Sequence, residues 1–259
     1  MIPKRIHYCW FGGNPLSEET MRCIESWRKH CPDYEIKEWN ENNFNIDCMA
    51  YVREAYNTHK YAFVADVVRL KALYDEGGIY MDTDMELTRN IDVFLNDKSF
   101  CGFEDDENIN AAILGAIPKE SWIGELYESY KERHFLKSNG HQDVTTIVKI
   151  ITRFLLKFGL KRDGLTQCLS NGTMVYSKDY FYPKYYRTGE TVYTENTHGI
   201  HHCVASWVYQ QNPQYILLSK KYHCIPKVIR RHFILTYLGE IKAPLTSRLI
   251  AIYRRIFSH

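Results

Sequence analysis

Two rhythms of apolar and polar positions alternate along this chain, and the switches between them lay out its elements. Arg5–Trp10 reads as a first strand, closed by Gly12–Gly13. Ser17 is placed to N-cap a helix running to about Lys29, with Glu18 and Glu19 in the first turn, where the helix dipole favours acids. Tyr34–Trp39 alternates as a second strand, and Met49–Thr58 has the spacing of a short helix. The stretch Tyr61–Asn90 (YAFVADVVRLKALYDEGGIYMDTDMELTRN) is an apolar helix, a Gly77–Gly78 stop and a strand carrying Asp82-Thr83-Asp84. Glycine stops a helix there because it tolerates the left-handed backbone of a C-cap. Further on, Phe100–Glu104 predicts a strand and Asn110–Ala116 a compact apolar segment stopped by Pro118. Trp122–Phe135 and Asp143–Phe158 predict helices, and after Gly164 short aromatic strands and loops run through Pro183. Strands alternating with helices predict an α/β fold with a mainly parallel central sheet.

The strand after Gly78 carries the most chemistry. Strand side chains alternate faces, so Tyr80, Asp82, Asp84 and Glu86 are expected on one side and Ile79, Met81, Thr83 and Met85 on the other. Carboxylates gathered on one face repel unless a cation joins them. Mg²⁺ or Mn²⁺ suits such a site, since it takes one or two carboxylates and leaves its other positions to water and phosphates. On spacing alone, the alternative is a strand that runs into an acidic turn with solvated carboxylates. Asp66 lies in the apolar run Ala62-Phe63-Val64-Ala65-Asp66-Val67-Val68, where an unpaired charge is costly, and Arg69 is one turn later on the helix. A purely structural ion pair is the alternative there.

The order of these pieces, A-x-x-x-D-x-x-R followed by Y-D-E-G-G-I-Y-M-D-T-D, resembles the DXD sugar-transferring region of glycosyltransferase family 32. That family includes bacterial capsule and lipopolysaccharide sugar transferases and yeast mannosyltransferases, and is related to the catalytic domains of clostridial glucosylating toxins. The opening IPKRIHYCWFGG is similar to the family's first strand, and IHHCVASW at 200–207 to its closing motif, so the resemblance spans about 200 residues. It implies a GT-A type nucleotide-sugar-binding fold and retaining transfer from a UDP- or GDP-linked sugar with a divalent metal.

The same resemblance implies roles for single residues. Trp10 stacks on the nucleobase, the alternative being a core tryptophan. Asp66 and Arg69 contact the ribose and the donor's sugar or phosphate; Asp82 lies against sugar and ribose, Asp84 on the metal. Tyr80 is placed to flank the nucleotide. In the closing motif, His201 or His202 joins the metal, and Ser206 and Trp207 hold the leaving group. Neighbouring strand residues face opposite ways, so one histidine of the pair is expected to bind; the H-x-x-A-S-W spacing favours His202, with His201 as the substitute. An imidazole ligand tilts the metal towards manganese. Two segments resemble glycosyltransferase family 8. Asn110-Ala111 is similar to an Asn-Ala-Gly that touches the donor sugar, with Ala112 in place of glycine. His141-Gln142-Asp143 is similar to an Asp-Gln-Asp that faces the reacting carbon, with His141 in place of the first Asp, and Asp143 as a helix N-cap is the simpler alternative.

Composition adjusts this picture at its edges. A chain of 259 residues, 45% hydrophobic, suits one α/β domain with a full core. Its eight cysteines form no CxxC and no tight cluster, which favours reduced thiols. No apolar run reaches the roughly 18–20 residues that span a bilayer, and MIPKRIHYCW is too polar for a signal peptide, so a cytoplasmic enzyme of bacterial type is expected. Charge is unevenly placed: 220–259 holds nine Lys/Arg (220, 221, 227, 230, 231, 242, 248, 254, 255) against one acid, Glu240. The expectation is a catalytic domain over 1–219 and a basic, amphipathic helical appendage over 220–259. That appendage would lie on the anionic inner face of the cytoplasmic membrane, where a glycan or lipid-linked glycan acceptor is presented. No nucleic-acid motif accompanies the basic residues, so no nucleic acid is expected. Two other readings compete. A DxDx[TV] phosphotransferase would carry its motif after the first strand, and here the motif lies past residue 80 with Glu86 at its last position. A silent carbohydrate- or membrane-binding module would not need both aspartates and a histidine.

Overall fold

The computed structural model describes residues 1–184 and 190–203. The basic segment 220–259, the proposed boundary at 219, Ser206 and Trp207 lie outside the described residues. A first strand β1 (Arg5–Cys9) leads to helix α1 (Glu18–His30), whose N-cap Ser17 accepts the Thr20 N–H as its sequence predicts. Strand β2 (Glu35–Trp39), helix α2 (Ala50–Asn57) and helix α3 (Tyr61–Glu76) follow, then β3 (Gly78–Met81) and β4 (Met85–Leu87). The second half holds β5 (Ser99–Phe103), β6 (Ile109–Ala116), α4 (Ser121–Ser129), α5 (Ile147–Leu155), β7 (Gln167–Cys168), β8 (Thr173–Tyr176) and β9 (Gly199–His201).

Seven strands make one sheet in the order β2-β1-β3-β6-β5-β8-β7. β1 pairs parallel with β2 and β3, and β5 with β8; β6 runs antiparallel between β3 and β5, and β7 antiparallel to β8. The sheet is therefore mainly parallel, as expected, with β6 reversed at its centre. The apolar segment at 110–116 is this central strand. It is buried along its whole length, and an element apolar on both faces carries no period by which to tell strand from helix. A separate two-stranded ribbon pairs β4 with β9 antiparallel, setting Met85 opposite His201.

Alternation along β3 sends Tyr80 into one core and Ile79 and Met81 into the other. The first core is filled by α3, which is buried without a break from Phe63 to Leu70, and by Leu114, Trp122 and Ile151. The second holds Ile6, Trp27, Phe100 and Ile113. Each fully buried Leu, Ile, Val or Phe contributes about 1.5–3 kcal/mol, so α3 is stabilised chiefly by its surroundings.

The stop between α3 and β3 needs both glycines. Gly77 has φ +65°, and a Cβ there would meet the Pro118 ring at 2.6 Å. Gly78 has φ +105°, and a Cβ there would meet the Arg5 carbonyl oxygen at 2.7 Å. The sharp bend lets β3 lie beside β1, with the buried His7 bracing it. The His7 Nε2–H donates to the Gly77 carbonyl at 2.8 Å, and its Nδ1 accepts from Trp39 Nε1 at 3.1 Å. An indole only donates and a carbonyl only accepts, so these partners set the tautomer.

Two helices are shorter than their sequence spacing suggests. α4 ends at Ser129, and Phe135, expected within it, instead packs in the core against Tyr51 and Phe63. α5 begins at Ile147 with Thr146 at its N-cap. Asp143 caps no helix: its carboxylate accepts from Arg133 at 2.8 Å and from Thr145 Oγ1 at 2.7 Å. Among the described residues no disulfide joins two cysteines, and no helix is long and apolar enough to cross a membrane.

Candidate active site

The Asp82-Thr83-Asp84 segment is a turn, not the continuous strand that alternation predicts. β3 ends at Met81, β4 starts at Met85, and the Met85 N–H donates to the Asp82 carbonyl at 2.9 Å. The Asp82 N–H donates to the Ala112 carbonyl at 2.8 Å, which ties the turn to β6. The β4–β9 ribbon then brings in the closing motif, and His201 Nε2 lies 3.2 Å from Asp84 Oδ1. Donor atoms of Asp82, Asp84 and His201 all fall within 4.8 Å of one another. Two ligands on opposite sides of an ion bound at about 2.1 Å would be about 4.2 Å apart, so a small contraction closes the three on one cation. Two carboxylates and one imidazole are a suitable donor set for Mn²⁺, and a usable one for Mg²⁺.

The histidine beside Asp84 is His201, whereas the motif spacing favoured His202. His202 faces away: its Nε2 is 2.7 Å from Glu86 Oε2, and Lys184 Nζ is 3.4 Å from its Nδ1. Burial disfavours charge on His201, but the Asp84 carboxylate outweighs it and raises the imidazole pKa. Cys203 Sγ sits 3.3 Å from the other ring nitrogen, Nδ1.

Asp82 is held from behind. Arg69 NH2 lies 3.3 Å from its Oδ1 and 3.1 Å from Asp66 Oδ1, while Arg69 NH1 donates to the Ala111 carbonyl at 2.6 Å. Tyr80 is buried under the turn rather than open to a nucleotide. Its hydroxyl donates to Asp82 Oδ1 at 3.0 Å, and the Arg69 guanidinium stacks 4.5 Å from its ring centre. Burial pushes the Asp66 carboxyl up to about 7, with Arg69 pulling the other way. Arg69 is equally buried, but Asp82 and its other anionic neighbours keep it firmly charged.

Trp10 stands at the carboxyl end of β1, half-buried, with its indole N–H donating to the Asn14 carbonyl at 2.6 Å. The loop it leads into is tied to the chain after β2, since the Gly12 N–H donates to Glu41 at 2.6 Å. Asn110 is buried at the start of β6. Its Oδ1 accepts from the Ala112 N–H at 2.8 Å, and its Nδ2 donates to Glu104 Oε2 at 2.5 Å. Gln142 and Asp143 share one loop; Gln142 bridges Leu136, and Asp143 is taken up by Arg133. Arg133 lies over the rings of Tyr51 and Tyr130 and is close enough to Asp66 to lower its pKa.

Glu104 is the residue that sequence reasoning missed. It heads the run Glu104-Asp105-Asp106-Glu107, which reads as a solvated acidic hairpin. Yet its carboxylate is largely enclosed: burial raises its pKa, while Asn110 and His201 pull it back. The only signal in the sequence is its place at the end of a strand, six residues before Asn110.

Part of the chain matches known proteins. Residues 17–101 match the family described as the glycosyltransferase sugar-binding region containing DXD motif. The chain is 30% identical over 118 residues to inositol phosphoceramide mannosyltransferase 3 of Schizosaccharomyces pombe, a match covering 44% of this chain and 33% of that protein. It is 22% identical over 184 residues to human alpha-1,4-N-acetylglucosaminyltransferase, covering 70% and 52%. It thus spans less than two thirds of either relative. Among solved structures, the PaToxG glycosyltransferase is similar with a TM-score of 0.48 at 17% identity, over 60% of this chain and 69% of that one. The turn at Asp82–Asp84 and the helix that supports it lie within the stretch that matches the glycosyltransferase sugar-binding region containing DXD motif.

Proposed function

We propose that this chain is a metal-dependent, retaining glycosyltransferase of GT-A type that moves a sugar from a UDP- or GDP-linked donor to a glycan acceptor during synthesis of a bacterial surface polysaccharide. The observation that carries this reading is the convergence of Asp82, Asp84 and His201 on a turn within the matched DXD region. Manganese or magnesium held by these three would neutralise the donor's diphosphate and the charge it gains as its bond to the sugar breaks. Arg69 braces Asp82 and is paired with Asp66; by resemblance these two residues serve the donor's ribose and its sugar or phosphate. Trp10 offers an indole face for the base, beyond the carboxyl end of a strand where ligands of open α/β sheets bind. Ser206 and Trp207 complete the grip on the leaving group by resemblance. Retention rests on the family resemblance as well: the departing phosphate takes the acceptor's proton, and no protein base is required.

The catalytic unit is assigned to 1–219 and the membrane contact to 220–259, on the strength of its nine basic residues against one acid. Release of nucleoside diphosphate from a panel of sugar nucleotides, with and without Mn²⁺, tests the central reading. Mn²⁺-dependent release from at least one donor is expected. Release from none, with a folded protein, overturns it.

A further inference from the structure

The strand ends that carry the site stand in a row: β1 with Trp10, β3 with the Asp82–Asp84 turn, β6 with Asn110 and β5 with Glu104. Neighbouring strands are about 4.8 Å apart, so three spacings place Glu104 roughly 14 Å from the Trp10 strand. A nucleotide-sugar is itself linear: base, ribose, diphosphate, sugar. With its base at Trp10 and its diphosphate at the metal-binding turn, its sugar has to fall on the β6–β5 side. There the register continues the argument. Met81 lies opposite Ile113 on β6, so Asn110 falls level with the far end of the turn, and Gly102 on β5 lies opposite Asn110. The Glu104 N–H donates to the Asn108 carbonyl at 2.9 Å, which holds the residue at the base of the hairpin, and His201 is near enough to lower its carboxyl pKa.

The carboxylate is built in rather than loose. Asn110 is fixed by its own bond from Ala112 and donates its remaining amide to Glu104 Oε2, while among the described residues Oε1 has no hydrogen-bond partner. Tyr182 closes the far wall: its hydroxyl accepts from the Ile113 N–H at 3.2 Å and donates to the Asn110 carbonyl at 3.4 Å, and its ring meets the His201 ring edge-on at 5.9 Å. Glu104 is thus close to the metal-binding three without being one of them, since the clustered donor atoms come from Asp82, Asp84 and His201. An enclosed carboxylate with one oxygen committed and the other without a hydrogen-bond partner among the described residues, beside a cation site but off it, is suited to a second positive charge.

We propose that Glu104 is a catalytic residue that faces the donor sugar ring and stabilises the positive charge developing there, with Asn110 as its positioning residue. This rests on the glycosyltransferase reading and extends it. In the step itself the bond from C1 to the phosphate oxygen breaks, and its electron pair leaves with the nucleoside diphosphate. The acceptor oxygen bonds to C1, and its proton passes to the departing phosphate. Glu104 forms no bond and keeps its charge throughout, acting through electrostatics on the charge that develops in the transition state.

The test is a binding measurement on the full chain with Mn²⁺. UDP and GDP are titrated first, and a protonated polyhydroxylated piperidine, a cationic mimic of the sugar ring, is then titrated into the nucleotide complex. The wild type should bind the piperidine. Glu104→Gln should weaken that binding roughly tenfold or more, the scale of a lost charge-assisted contact, and Glu104→Asp should restore most of it. An uncharged lactam of the same shape should bind all three alike, and nucleotide affinity should stay within twofold. A wild type that ignores the piperidine, or a folded Glu104→Gln that binds it as well as the wild type, overturns the role of Glu104 and leaves the transferase reading standing. Failure of both UDP and GDP to bind the wild type overturns the transferase reading and this inference with it.

Discussion

At the scale of single residues, the site depends on a few side chains that others hold in place. Asp84, the proposed metal ligand, sits at the edge of a turn and contributes little core volume. Asp84→Ala and His201→Ala should therefore abolish Mn²⁺ binding by calorimetry and, in metal-free buffer, leave the melting temperature within a few degrees. His202→Ala, whose partner is Glu86, should bind Mn²⁺ like the wild type; the opposite ranking of the two histidines would show that the wrong one has been assigned. Trp10→Ala should weaken nucleoside diphosphate binding by about 1–3 kcal/mol, roughly 5- to 150-fold, the worth of stacking a base on an aromatic ring. Unchanged affinity in a folded variant would return Trp10 to a purely structural place. Which of these residues could be read from the sequence follows from what each depends on. Asp66, Arg69, Asp82 and Asp84 sit within one local stretch whose order carries meaning. His201 and His202 are told apart only by the register of a ribbon joining distant segments, and Glu104 looks like any other acid in a hairpin until its strand is set beside the others.

At the scale of elements, the bend between α3 and β3 sets the direction in which the aspartates leave the sheet. Gly77→Ala and Gly78→Ala should each destabilise the protein by more than the 1–2 kcal/mol of a left-handed non-glycine residue alone, because each adds a clash as well. Gly13→Ala is the control: φ is +66° and nothing lies within 4 Å of its Cβ, so it should cost only that conformational term. Urea midpoints of the three variants would rank them. His7 braces the same bend, and burial lowers its pKa, so folding favours the neutral ring. Its contribution is present above the unfolded pKa of about 6.5 and is lost as the pH falls below it, at up to about 1.4 kcal/mol per unit. His198, pushed down to about 4 by burial, adds a loss in the same direction. Asp66 and His201, whose pKa values are raised in the folded protein, act in the opposite direction over the same range, so the test is the difference between two chains. Between pH 7.5 and 5.5 His7→Gln should lose less stability, or gain more, than the wild type; identical slopes would rule His7 out as a contributor. Most elements were legible from period and caps, as with Ser17 and α1. Those that were not are β6, apolar on both faces, and the ends of α4 and α5, where burial of Phe135 and the Arg133–Asp143 pair override local helical spacing.

At the scale of the whole molecule, charge is the property that the fold leaves open. Outside 220–259 the chain carries 24 basic and 30 acidic residues, so the basic excess is confined to that one segment. Each basic side chain near an anionic surface contributes on the order of 1 kcal/mol, screened over a Debye length of about 8 Å at physiological salt. The full chain should therefore sediment with anionic liposomes in a salt-sensitive way and lose this on truncation after Ser219. Equal binding to neutral liposomes, or none to either, would remove the membrane role. The β4–β9 ribbon has a different consequence at this scale. It joins Glu86 to His202 across 116 positions of sequence, and the proposed metal ligands Asp84 and His201 flank the same seam. A cation there would be a fastener as much as a reagent. At 100 times its dissociation constant, an ion that binds only the closed ribbon adds about 2.7 kcal/mol to its stability. Metal supply would then govern how firmly the last described strand is held to the domain, and a chain short of metal would loosen first at the seam where its substrate is to be gripped.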